Sequence, residues 1–268
     1  MEFKTANLTL NYEIIGTGTP FLMLHGLGCD MHLMQGCMEP ALATTKQFQR
    51  IYVDLPGMGH SNAPLAFASS DAILAALITF ATTIITEPFL VAGESFGGYL
   101  ALGLAAKLPT KVIKALLICP MVEPDHDTRD VPTALTYQEV DEPFMATIDP
   151  EVRETFLSFI TVANENTFNR FENEIMVGLR QGNRAFLDQL ATAYAYSFDL
   201  FTTLTTNSVH PDILFLLGRQ DQVVGYKDAY RLSHLVPRVS YFIFDKASHS
   251  LQIEQPTLFN SVVTGWLA

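Results

Sequence analysis

Cysteine is scarce in this chain, and so is positive charge. Only Cys29, Cys37 and Cys119 occur in 268 residues. They form no C-x-x-C pair and share no metal-type spacing with histidine, so neither a disulfide framework nor a metal site is expected. An odd, sparse set fits a reducing compartment. Sixteen Lys and Arg face 28 Asp and Glu, a net charge of -12, and the isoelectric point is about 4.9. Such a balance disfavours phosphate backbones and anionic lipid, so nucleic acid and membranes are not expected partners. Solubility is the plainer reading of the acidity. Long apolar runs are missing as well. The longest, Ala72 to Ile85, is interrupted by Thr79, Thr82 and Thr83 and is too short to span a bilayer. Met1-Glu2-Phe3-Lys4-Thr5 has no apolar stretch of signal-peptide type, so a cytoplasmic location is expected.

What is present is a large apolar complement. Hydrophobic residues make up 49% of the chain and charged residues 16%, and the mean hydropathy is +0.21. At this length that implies one large α/β domain, or a core carrying an insertion. Leu8 to Ile15 alternates and ends in Gly16-Thr17-Gly18-Thr19-Pro20, a strand and a turn. Continuous apolar runs follow at Phe21–Leu24, Phe48–Val53, Phe89–Ala92, Val112–Cys119, Ile213–Leu217 and Val239–Phe244. Runs of this kind suit strands covered on both faces, hence a parallel sheet. Helical patterns lie between several of them, at Ser70–Ile85, Phe96–Lys107, Tyr226–Leu235 and Pro256–Trp266. The alternation predicts a mostly parallel, doubly wound α/β sheet.

One stretch breaks the rhythm. Residues 121–208 hold no clear buried strand, but helical patterns at Pro150–Leu157 and Asn183–Tyr196. They read as a helical cap inserted into a core of residues 1–120 and 209–268, lying over the carboxyl ends of the strands. The insertion is rich in acids (Glu123, Asp125, Asp127, Asp130, Glu139, Asp141, Glu142) and in aromatics, most of which read as core at helical spacing.

Between the third apolar run and the helix after it lies Gly93-Glu94-Ser95-Phe96-Gly97. A G-x-S-x-G between strand and helix is a nucleophile-elbow pattern. The turn is so tight that side chains at 93 and 97 would collide with neighbouring backbone, and glycine removes them. The Ser95 hydroxyl is then held out where a ligand can reach it.

A serine hydroxyl is a weak nucleophile at neutral pH. It needs a base, and the base needs an acid to fix its tautomer and stabilise its charge. Asp221 follows the Ile213–Leu217 strand and is the favoured acid; Glu123 and Asp125, after the Val112–Cys119 strand, compete with it. Among seven histidines, His249 alone combines a loop after the last strand with a place downstream of Asp221. A tetrahedral intermediate also needs two N–H donors. Phe96 offers one at the elbow helix's N-terminus, where the helix dipole favours an anion. Leu27, in His25-Gly26-Leu27-Gly28 after the Phe21–Leu24 strand, offers the other. His25 then reads as a structural ring, and Asp54-Leu55-Pro56-Gly57-Met58-Gly59-His60-Ser61 as a tight loop.

These pieces, with Gly218-Arg219-Gln220-Asp221 and Ala247-Ser248-His249, stand in an order that resembles the α/β-hydrolase fold superfamily, in the branch with a helical cap. The resemblance spans nearly the whole chain. It implies Ser95, Asp221 and His249 as a catalytic triad and the amides of Leu27 and Phe96 as an oxyanion hole. Serine at 95 argues against dehalogenases and epoxide hydrolases, which place aspartate there. Nothing points to a metal, nucleotide or flavin, so no cofactor is expected and the partner is a small-molecule substrate. The leading expectation is a serine hydrolase cleaving a small ester or thioester. The alternatives are a carbon–carbon bond hydrolase or lyase on a diketone-type acid, with Arg129, Arg153, Arg170, Arg180 and Arg184 available for its carboxylate; an aminopeptidase using cap acids; and a hydrolase-fold binding protein without turnover.

Overall fold

A computed structural model describes residues 1–268. Ten strands occur: β1 (Glu2–Lys4), β2 (Thr9–Ile15), β3 (Thr19–Leu24), β4 (Phe48–Val53), β5 (Phe89–Glu94), β6 (Val112–Ile118), β7 (Glu139–Val140), β8 (Val162–Ala163), β9 (Asp212–Gly218) and β10 (Val239–Phe244). Eight of them form one sheet in the order β1-β2-β4-β3-β5-β6-β9-β10. β1 and β2 pair antiparallel to their neighbours, and every pairing from β4 to β10 is parallel. The continuous apolar runs explain this: β5 is buried at all six positions because helices cover both faces.

The register levels the carboxyl ends of the parallel strands. Leu24 pairs with Val53 and with Gly93, Gly93 with Leu117, Ile118 with Leu216, and Gly218 with Phe244. The loops at 25–28, 54–61, 95, 119–125, 219–221 and 245–249 therefore rise from one edge. The strand order reverses at β3, between β4 and β5, and ligands in open α/β sheets bind at such a point.

Helices expected from the sequence are present at Ser70–Ile84, Phe96–Lys107, Lys227–Ser233 and Pro256–Leu267. A further helix, Met31–Leu42, has no counterpart in the sequence reading. Gly36 and Pro40 interrupt its pattern, yet Asp30 caps it by accepting from the His32 amide.

Between β6 and β9 the chain forms short helices rather than a layer of sheet, among them Pro150–Phe159, Glu165–Phe171, Arg184–Ala191 and Leu200–Thr206. The exception is a two-stranded parallel ladder, β7 with β8, too short to register as an apolar run. Many acids of this stretch have local work. Asp141, Asp149 and Asp199 cap helices, and Asp130 pairs with Lys227 and Arg231. Its aromatics pack mainly on one another: the Phe156 ring meets Phe168 and Phe171 edge-on at 5.3 and 5.2 Å. Stacked pairs fasten the stretch to the core helix Phe96–Lys107, Tyr194 on Phe96 at 4.9 Å and Tyr196 on Tyr99 at 4.2 Å. No helix is long and apolar enough to cross a membrane.

Candidate active site

Ser95 stands between β5 and the helix Phe96–Lys107 with φ 52° and ψ -115°. A non-glycine residue in this region is strained, and the surroundings must impose it. They do so through backbone packing. A side chain on Gly93 would strike the Gly97 carbonyl, and one on Gly97 would strike the carbonyls of Leu24 and His25. The Ser95 amide is fixed by the Ile118 carbonyl, and its carbonyl receives the amides of Tyr99 and Met121.

The loop after β3 is held by His25. The ring is buried, its Nδ1–H donates to the Gly26 carbonyl at 2.8 Å, and Nε2 accepts from the Leu55 amide at 2.9 Å. Burial lowers its pKa, which keeps it neutral for this bridging role. Asp54 likewise serves its loop: its carboxylate accepts from the Met31 and His60 amides and from Asn11. The structural readings of both residues thus match their contacts. Neither the Leu27 nor the Phe96 amide has an acceptor within the protein.

Asp221 and His249 meet. His249 Nδ1–H donates to Asp221 Oδ2 at 2.8 Å, and Asp221 Oδ1 accepts from the amides of Val223 and Val224 at 2.8 and 3.0 Å. Glu123 and Asp125 do not reach the ring; Glu123 instead accepts from the Asp125 amide. Asp221 is fully buried. Burial alone would raise its pKa, but the His249 charge and hydrogen bond, with the two amides, hold it below the ordinary carboxylate value. For His249 burial opposes the charge, and Asp221 and then Glu94 outweigh it, so the ring is raised to about 9. The loop carrying His249 is tied down by the Gln220 amide to Ala247 and by the Cys119 thiol to the Ser248 carbonyl. That thiol, Asp221 and His249 have donor atoms within 4.8 Å of one another, a grouping that spacing along the chain did not reveal.

Ser95, His249 and Leu27 line one cavity of about 590 Å³, a size suited to a small organic molecule. No hydrogen bond joins the Ser95 hydroxyl to His249; the free ring nitrogen, Nε2, lies 3.4 Å from Glu94 Oε1. Sequence reasoning passed over Glu94, whose place in the elbow pattern accepts any residue. From the insertion, Phe159 and Tyr194 reach the cavity, as does Arg129. Arg170, Arg180 and Arg184 are paired with Glu174, Glu172 and Asp188. Arg129 has carbonyl partners only, at Glu123, Pro124 and Val223.

The chain matches the alpha/beta hydrolase fold family over residues 19–256 and belongs to it. It is 24% identical to the 2-hydroxymuconate semialdehyde hydrolase of Pseudomonas sp. (strain CF600), across all of this chain and 93% of the relative. It is 29% identical to the pimeloyl-[acyl-carrier protein] methyl ester esterase of Vibrio cholerae, across 91% of this chain and 92% of the relative. The crystal structure of an alpha/beta superfamily hydrolase from Oenococcus oeni PSU-1 superimposes with a TM-score of 0.87 at 31% identity, over 100% of this chain and 98% of that one. The protein is accordingly a hydrolytic enzyme, which sets aside the alternative of a binding protein without turnover.

Proposed function

We propose that the protein is a serine hydrolase that cleaves a small ester or thioester through an acyl-Ser95 intermediate. The observation that carries this reading is the Asp221–His249 hydrogen bond of 2.8 Å, with the far side of the imidazole opening on the cavity that Ser95 lines. Ser95 Oγ attacks the substrate carbonyl while His249 Nε2 takes its proton. Asp221 holds the Nδ1–H and stabilises the imidazolium. The unpartnered amides of Leu27 and Phe96 receive the oxyanion. His249 then protonates the leaving group, and a water activated by the same ring releases the acid. Residues 121–208 act as the cap that shapes the acyl pocket over the core of 1–120 and 209–268. The three buried free thiols fit a cytoplasmic setting.

Hydrolysis of p-nitrophenyl butyrate by wild type and by Ser95→Ala tests the assignment. Turnover is expected to vanish in the variant, and undiminished turnover would overturn it. A carbon–carbon hydrolase acting on a diketone-type acid is favoured by one observation, the Arg129 guanidinium at the cavity with no carboxylate partner. Competition between an aryl ester and a ring-cleavage diketone separates the two readings.

A further inference from the structure

Glu94 ends β5, directly before the nucleophile. The residue is 4% exposed and lines the cavity. No backbone or side-chain group of the protein hydrogen-bonds it, and its closest charged neighbour is the His249 ring, with Nε2 3.4 Å from Oε1. Gly26 makes room for it: a side chain there would collide with Glu94 Oε2. The carboxyl is thus wedged between the loop after β3 and the imidazole, against the nitrogen that a base must offer to Ser95.

A buried carboxylate without donors is costly. Burial, with a smaller push from Asp221, outweighs the pull of His249 and raises Glu94 to about 7. His249 faces Asp221 on one side and Glu94 on the other, with Arg129 opposing its charge. Cys119 after β6, Cys29 after β3 and Tyr194 from the insertion lie near as well, and burial raises all three so that they stay neutral; Asp125, His126 and Asp127 line the same cavity.

We propose that Glu94 is a positioning residue and proton store for His249: at rest the imidazolium Nε2–H is directed at the Glu94 carboxylate, and during turnover Glu94 carries that proton while His249 serves Ser95. The proposal rests on the serine-hydrolase reading above. The Nε2–H bond breaks and an Oε1–H bond forms, turning an imidazolium–carboxylate pair into a neutral imidazole and a carboxylic acid with no change in net charge. His249 Nε2 then takes the Ser95 proton as Oγ bonds to the acyl carbon, and delivers it to the departing group. Glu94 keeps its own proton throughout. A neutral Glu94 also removes a negative charge that would oppose an oxyanion forming beside Gly26 and Leu27. The two groups titrate as a pair, so their macroscopic values belong to both.

Glu94→Gln keeps the size and removes the charge. Imidazole resonances of His249, assigned against His249→Ala, are followed by NMR from acid to alkaline pH in wild type and Glu94→Gln. The His249 midpoint is expected to fall by about one unit or more, the shift an adjacent charge produces. The pH at which kcat/KM for p-nitrophenyl acetate reaches half its plateau falls with it. A His249 midpoint unchanged in the folded variant overturns the proposal. Should the variant not fold, the Glu94 carboxyl resonance of wild type decides. Titration far above the ordinary value of 4.5, moving together with His249, supports the pairing, and titration near that value refutes it. A lowered His249 midpoint supports the pairing even where Ser95 resists a fluorophosphonate, a result that would count against the ester reading instead.

Discussion

Glu254 holds Ser248, the residue before His249, by two hydrogen bonds: Oε2 accepts from the Ser248 amide at 2.6 Å and from its hydroxyl at 2.9 Å. The other oxygen accepts from the amides of Thr161 and Val162 and from the Thr161 hydroxyl. One buried carboxylate thus joins the insertion to the loop that carries the imidazole. Glu254→Ala leaves these donors unpaired. A loss of stability of about 2–4 kcal/mol is expected from their desolvation, and a fall in kcat larger than any rise in KM, because the His249 imidazole loses its orientation. Chemical denaturation and steady-state kinetics of the variant check both.

Ser95 pays for its position in backbone strain, with φ at 52°. Ser95→Gly relieves that strain, worth about 1–3 kcal/mol. The variant is expected to be inactive and yet to melt higher than wild type, by roughly 2–4 °C per kcal/mol at this chain length. Calorimetry of the pair decides it, and a lower melting point would mean that the turn is not strained.

Gly97 answers a different demand. In the helix Phe96–Lys107 alanine would ordinarily be preferred to glycine by about 0.5–1 kcal/mol. Here its methyl group would overlap the Leu24 and His25 carbonyls, which are backbone and cannot yield cheaply. Gly97→Ala is therefore expected to destabilise by about 1–3 kcal/mol or more, read as a lower denaturation midpoint.

His249 sets a pH dependence with a definite sign. Its folded value, about 9, lies above the ordinary 6.5. Its contribution to stability is therefore complete below about 6.5 and lost as pH rises through about 9. Activity runs the other way: below about 9 only the fraction of molecules in which Glu94 holds the proton has a neutral His249 imidazole, so kcat/KM should still climb toward pH 9. Asp221→Asn removes the main source of the raised value. Wild type and variant should differ more in stability at pH 6 than at pH 10, and kcat should fall by about 10⁴-fold. Urea unfolding at the two pH values and steady-state kinetics provide the check.

The elbow was legible because its demands are local: two glycines and a serine between an apolar run and a helical pattern. The meeting of Asp221 with His249 is legible from strand order, since a levelled parallel sheet brings successive loops to one edge. Glu94 was not, because nothing beside it in sequence reveals that residue 249 returns to face it. Arg129 is one of five arginines in the insertion, and only the fold pairs Arg170, Arg180 and Arg184 with carboxylates and leaves Arg129 at the cavity. The acids of the insertion divide in a way the sequence does not show: Asp141 caps a helix, while Asp125 and Asp127 line the cavity. β7 and β8 are not legible, because two-residue strands have no period to read.

The central claim is that Ser95 carries the acyl group. Brief exposure to a fluorophosphonate, followed by peptide mass mapping, tests it most directly. One adduct is expected, on Ser95, formed faster as pH rises toward 9 and absent in Ser95→Ala. An adduct on another residue, or ester turnover in a protein whose Ser95 remains unmodified, would contradict it.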